Sequence, residues 1–295
     1  MPNTNVSPSS QALDQLSRER ASLLTRFLDV HFTPAFEVRA GHAKLFDSVR
    51  YSLLQEGGKR FRPVLAMFVA EALEKKPEDV LAYAAAVECV HTYSLIHDDL
   101  PAMDNDDMRR GQPTNHRKFD EATAILAGDG LLTEAFQLIA DHYASQPKAA
   151  IKAVAELAQA SGLKGMVGGQ AIDMAAKKES ITLDELRTMH ALKTGALIRA
   201  AARGSAQICE ASDDQLKAIT EFSENLGLAF QVADDLLDYD PAKLEPGSYP
   251  AILGPEKTNA FLGELTLTCL NALIGFDEKA EPLRAITHYN QQRLV

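Results

Sequence analysis

Features that mark several common protein classes are missing or thin in this chain. No apolar run is long enough to cross a bilayer, and the opening MPNTNVSPSSQALDQLSRER has neither the cationic start nor the apolar core of a signal peptide. The expectation is a cytoplasmic protein without a transmembrane segment. Cysteine is scarce: Cys89, Cys209 and Cys269 stand far apart, form no C-x-x-C pair and are odd in number, so neither a disulfide framework nor a cysteine metal cage is indicated. Basic residues are outnumbered, 30 Lys and Arg against 41 Asp and Glu, and the net charge of −11 argues against a general nucleic-acid binder. Alternating β-branched segments are hard to find, and no low-complexity linker divides the chain in two.

What is present is helix. With 46% apolar and 24% charged residues the chain can build an ordinary globular core. Almost every long segment repeats apolar residues at helical spacing, as in Ile125, Leu132, Phe136, Ile139 and Tyr143, or Leu186, Met189, Leu192 and Leu197. Thr182 with Glu185, and Ser212 with Gln215, match the capping box that opens a helix. Breaks are expected at Gly57-Gly58, Pro77, Pro101, Gly111 to Pro113, Pro147, Ser161-Gly162, Gly168-Gly169 and between Pro241 and Pro255, which predicts about ten helices. The fold class is therefore all-α, one domain over 1–295, with the helices packed around a central apolar cavity.

Two acidic segments interrupt the apolar pattern. In YSLIHDDLPAMDNDDMRR, Asp98, Asp99, Asp104, Asp106 and Asp107 follow an apolar run directly, and Pro101 ends or kinks the helix so that Asp104 can turn back toward Asp98. In GLAFQVADDLLDYD, Asp234 and Asp238 are four residues apart on one helix face with Asp235 beside them. Like charges so placed cost about 0.2–0.5 kcal/mol per pair, and a hard divalent cation would offset that. One such run alone reads as a solvated helix end; two, each an Asp pair plus a further Asp beside an apolar helix, point to Mg²⁺ shared with a phosphate. Cations complete the set. GGKRFRP places Lys59, Arg60 and Arg62 behind a glycine pair, and Arg109-Arg110 follows the first acidic segment, both reading as anion ligands, with a helix cap as the bland alternative for the former.

These residues resemble the short-chain trans-isoprenyl diphosphate synthase family, and within it the bacterial farnesyl diphosphate synthases. GGKRFRP, AAAVECVHTYSLIHDDLPAMDNDDMRRGQPTNH, GMVGGQAIDM, HALKTGALIRAA and GLAFQVADDLLD stand in the family's order across roughly residues 50 to 240. The resemblance implies an isoprenoid synthase fold, usually a homodimer, that joins dimethylallyl or geranyl diphosphate to isopentenyl diphosphate with Mg²⁺. It implies Asp98 and Asp104 as ligands of two Mg²⁺ ions and Asp234 of a third, supported by Asp99 and Asp238. Lys59, Arg62, His91 and Arg110 are similar to the isopentenyl diphosphate site, and Arg109 to a contact of the allylic diphosphate. Lys193, Thr194 and Gln231 match positions lining the reacting centre. Read without the resemblance, Lys193 equally covers apolar surface with its stem, Gln231 is a satisfied core amide, and His91 a buried histidine.

Tyr93 lies five residues before Asp98, about 7.5 Å back along the helix. In the resemblance an aromatic residue here goes with short products, which predicts C15 farnesyl diphosphate over C20 geranylgeranyl diphosphate, the alternative being that Tyr93 simply packs in the core. The sequence departs from the family after the second acidic segment: YDPAKLEPGSYPAIL is short and lacks a lysine before the turn, with Gly247 to Pro250 as the remnant and Lys243 as a candidate substitute. A non-catalytic partner subunit, or a cyclase or hydrolase acting on one diphosphate, therefore stands as an alternative.

Overall fold

The computed structural model describes residues 8–34, 39–176, 181–242 and 247–293. In chain order the elements are α1 (Pro8–His31), α2 (Ala40–Leu53), α3 (Phe61–Ala72), a 3-10 turn (Pro77–Val80), α4 (Leu81–Asp98), a hairpin of β1 (Met108–Arg109) and β2 (Gln112–Pro113), α5 (Asn115–Lys118), α6 (Glu121–His142), α7 (Pro147–Ser161) and α8 (Met166–Ala176). There follow α9 (Leu183–His190), a π-helical segment (Ala191–Gly195), α10 (Ala196–Ile208), α11 (Asp213–Leu237), α12 (Tyr249–Leu253), α13 (Pro255–Ala272), a second 3-10 turn (Glu278–Ala280) and α14 (Glu281–Gln292). Among the described residues the two-residue strands form the only sheet.

Helix α4 is central because its sequence is apolar all round. Every residue from Ala82 to Val90 is buried, and the helix packs on α3, α6 and α10. Helix α3 is similar, with Pro63 to Ala70 buried. The main core runs from Leu13 on α1 to Ile286 on α14; a smaller cluster joins α9, α11, α12 and α13 around Tyr249. Both expected capping boxes form, at Thr182 with Glu185 and at Ser212 with Gln215, and such caps stabilise a helix by about 1 kcal/mol.

Two expectations about helix boundaries fail. Gly168-Gly169 does not break the chain; it lies inside α8, where the missing side chain serves close packing. A Cβ at Gly169 would sit 2.2 Å from the Lys193 backbone nitrogen, so glycine lets α8 press against the π-helical segment. Among the described residues the helices also outnumber ten, because short pieces such as α5 and α12 are too brief to show periodicity. Among the described residues no helix is long and apolar enough to cross a membrane.

Candidate active site

A cavity of about 570 Å³ opens beside α4. Tyr93, His97 and Asp98 line it from α4, Met166, Gln170 and Met174 from α8, and Lys193 and Thr194 from the π-helical segment, with Arg62 and His91 at its cationic end. π-Helical turns often mark functional sites, since the extra residue re-aims side chains. Tyr93 is buried, its ring meets His97 edge-on at 5.8 Å between centroids, and burial pushes its phenol up to about 12.

The first acidic segment turns as Pro101 dictates. Helix α4 ends at Asp98, and the Asp104 N–H donates to the Asp98 carbonyl at 2.9 Å, bringing the two aspartates to one bend. The Gln170 amide donates to the Asp98 carboxylate across from α8. Asp99 takes another course. It is 3% exposed and gripped by Arg109, whose Nε lies 2.8 and 3.0 Å and Nη2 2.6 Å from its oxygens. Burial opposes the Arg109 charge, but the Asp99 hydrogen bonds and charge outweigh it and raise the arginine's pKa.

Asp234 lies in the last turn of α11 and reaches the cavity by a relay. Thr194 Oγ1 donates to Gln231 Oε1 at 3.1 Å, and Gln231 Nε2 donates to Asp234 Oδ2 at 3.3 Å. The Asp234 carboxyl is raised, chiefly by burial, against the pull of Arg293 and Lys59. Arg293, at the end of α14, places Nη2 2.7 Å from Asp234 Oδ1 and stacks on Phe230. Asp235 instead accepts the Tyr249 N–H at 2.8 Å, and Asp238 caps the helix in an exposed position. Lys193 Nζ is 2.7 Å from Asp173 Oδ2 on α8. Lys243 lies outside the described residues.

At the cationic end, Arg62 Nη1 is 3.3 Å from His91 Nε2. His91 is pushed well below the ordinary histidine range, first by burial and then by Arg62, Arg110, Arg60 and Arg109, so it is neutral at pH 7. Burial lowers Arg62 to about 10. Arg110 lies across the loop, where a methyl group at Gly58 would displace its guanidinium. Lys59 is exposed and lines a different cavity, with Phe230 and Arg293. Arg60, expected as a third anion ligand, is not one: it is 7% exposed and turned inward onto Glu88. A left-handed backbone at the start of α3 aims it away from its neighbours.

No group of three or more His, Cys, Asp or Glu close enough to cage a metal exists among the described residues. Mg²⁺ takes one or two carboxylates, keeps waters and accepts substrate phosphate oxygens, so it needs no all-protein cage. The oxygen donors of Asp98, Asp104 and Asp234 fit such an ion.

Reading the sequence missed four participants. Gln170 and Asp173 share a face of α8 inside GMVGGQAIDM, and an i, i+3 reading would have paired them. Glu88 hides in an apolar run, and nothing local links Arg293 to an aspartate 59 positions earlier.

An all-helical bundle whose cavity runs from carboxylates and cations into apolar walls has the architecture of an isoprenoid synthase. Comparison bears this out. Residues 43–247 match the polyprenyl synthetase family model. The chain is 46% identical to a farnesyl diphosphate synthase of Geobacillus stearothermophilus over 81% of its length and 79% of that protein. It is 41% identical to the chloroplastic heterodimeric geranylgeranyl pyrophosphate synthase large subunit 1 of Arabidopsis thaliana, over 83% and 71%. The crystal structure of a geranyltransferase from Legionella pneumophila superposes with a TM-score of 0.87 at 32% identity, covering 96% of this chain and 98% of that one. The chain belongs to the polyprenyl synthetase family and is a trans-prenyltransferase.

Proposed function

We propose that this protein condenses dimethylallyl or geranyl diphosphate with isopentenyl diphosphate to form farnesyl diphosphate and inorganic diphosphate. The observation that carries the reading is one cavity bordered by Asp98, Lys193 and Thr194, reached by Arg62 and His91, and walled by the buried Tyr93 ring. Asp98, Asp104 and Asp234 would hold three Mg²⁺ ions, with Asp99 and Asp238 supporting them; bound Mg²⁺ supplies charge stabilisation to the departing diphosphate. Arg109 faces the allylic diphosphate from within its pair with Asp99. Lys59, Arg62, His91 and Arg110 bind the diphosphate of the second substrate, His91 as a neutral hydrogen-bonding ring.

The allylic C–O bond breaks with its electron pair leaving on diphosphate, and the double bond of isopentenyl diphosphate attacks the allylic carbon. A proton then passes from the new chain to the released diphosphate. Lys193, Thr194 and Gln231 hold the allylic group, the lysine fixed by Asp173 and the other two by their mutual hydrogen bond. Apolar walls keep water from the cation. Tyr93 closes the end of the cavity and stops growth at C15. A single domain over 1–295, a homodimer and a cytoplasmic location complete the proposal; light scattering checks the assembly.

Incubation with labelled isopentenyl diphosphate, an allylic diphosphate and Mg²⁺, followed by chromatography of the dephosphorylated products, tests the reaction. Farnesol is expected; geranylgeraniol reassigns the product, a cyclic or unextended alcohol reassigns the reaction, and no turnover makes the chain a partner subunit. Tyr93→Ala is expected to shift product from C15 to longer chains, and an unchanged distribution removes the ring's role.

A further inference from the structure

We propose that Arg60 and Glu88 form a buried pair of positioning residues that sets the loop carrying Lys59, and the adjoining Arg62, for the diphosphate of isopentenyl diphosphate. This rests on the cationic site proposed above.

Arg60 is a hub between four segments. Its Nη1 meets the Glu88 carboxylate on α4, while Nη2 donates to the carbonyls of Leu53 at 2.6 Å and Gln55 at 3.2 Å, the open end of α2 and the loop after it. Its own carbonyl accepts the Val64 N–H at 3.0 Å, opening α3. Gln55 in turn donates to the Arg109 carbonyl at 3.1 Å, joining the loop to the hairpin that presents Arg109 and Arg110. Glu88 and His91 stand three residues apart on α4, and Arg60 and Arg62 two apart at the start of α3. The Arg60–Glu88 pair and the Arg62–His91 contact therefore fasten the same two helices side by side.

Stability does not explain this arrangement. Arg60 adopts φ 49°, a left-handed conformation that costs a non-glycine residue about 1 kcal/mol. Glu88 is 2% exposed, and a buried ion pair can often be replaced by apolar residues without loss of stability. What the pair does supply is geometry. With Arg60 turned inward at that backbone angle, Lys59 stays exposed on one side and Arg62 enters the cavity on the other. Glu88 also sustains the charge of Arg62 and Arg110 against burial.

The test replaces the whole pair, Arg60→Met with Glu88→Leu, so that neither member is left as an unpaired buried charge. Thermal unfolding is expected within a few degrees of wild type. Calorimetric titration with inorganic diphosphate in the absence of divalent metal is expected to show about tenfold weaker binding, and KM for isopentenyl diphosphate to rise about tenfold while KM for geranyl diphosphate changes less than about twofold. A folded double variant with wild-type diphosphate affinity, or one in which both KM values rise together, overturns the proposal. Should the double variant not fold, Arg60→Lys decides: it keeps the charge but loses the fork, and an unchanged affinity overturns the proposal while a loss of about threefold or more supports it. Lys59→Met and Arg62→Met test the underlying site separately, since that reading fails if neither weakens metal-free diphosphate binding.

Discussion

The two acidic segments solve one electrostatic problem with different surroundings. Each places carboxylates in the last turn or cap of a helix, where the macrodipole is negative and an acid is disfavoured by about 0.3–1 kcal/mol. In each, the adjacent pair divides its work. The first aspartate, Asp98 or Asp234, is directed toward the cavity, by contact with it or through the Thr194–Gln231 relay. The second is taken up by the fold: Asp99 by the Arg109 fork, and Asp235 by the Tyr249 N–H. The counterweights differ. The first segment is balanced by an arginine ten residues away on its own hairpin, the second by Arg293 from the end of the described chain. A doubled aspartate therefore reads as one ligand candidate and one anchor.

That division is most exposed to test at the first aspartates. Asp98→Asn and Asp234→Asn are each expected to lower kcat by about 10²–10³-fold with little change in urea unfolding, because they remove charge stabilisation in the transition state. A variant retaining wild-type kcat breaks the assignment for its segment.

Acid should weaken the second segment through its anchor. Tyr249 packs on His190, with ring centroids 5.5 Å apart, and burial lowers His190 to about 4, with Lys193 adding to and Asp173 opposing the shift. As pH falls below about 6.5 the unfolded chain takes the proton first, so this stability is complete above about 6.5 and is lost as pH drops toward about 4, on the order of 3 kcal/mol. Urea midpoints across that range should fall, and His190→Phe should flatten the fall; an identical slope in the variant contradicts the account.

At the anchors themselves the expected effect is on folding. Asp99→Asn leaves Arg109 only the more distant Asp106 carboxylate, 3.9 Å away, and should cost about 2 kcal/mol in urea unfolding, with kcat reduced less than about tenfold. A loss of kcat equal to that of Asp98→Asn at unchanged stability would erase the distinction between ligand and anchor.

The smallest effect concerns Arg293. Its pair with Asp234 is partly exposed, so its removal is worth only a few tenths of a kcal/mol up to about 1 kcal/mol. Because the guanidinium occupies the carboxylate that a cation would use, Arg293→Gln should tighten half-saturation by Mg²⁺ about two- to fourfold. Weaker metal dependence of the opposite sign would show that Arg293 supports the ion's site instead.

Helix existence, the two capping boxes, the stop at Pro101 and the candidacy of Asp98, Asp104, Asp234, Lys59 and Arg62 were legible in the sequence, because periodicity, caps and proline act over a few residues. So was the return of Asp104 to Asp98, which one proline bend determines. The inward turn of Arg60, the capture of Asp99 by Arg109, the Gln170 and Asp173 contacts from α8, and the arrival of Arg293 at Asp234 were settled only by tertiary structure. Each depends on which way a side chain leaves its backbone and on what distant helix meets it. The doubled glycine at 168–169 shows the same limit: local chemistry reads it as a break, whereas packing against the π-helical segment uses it as a place of close approach.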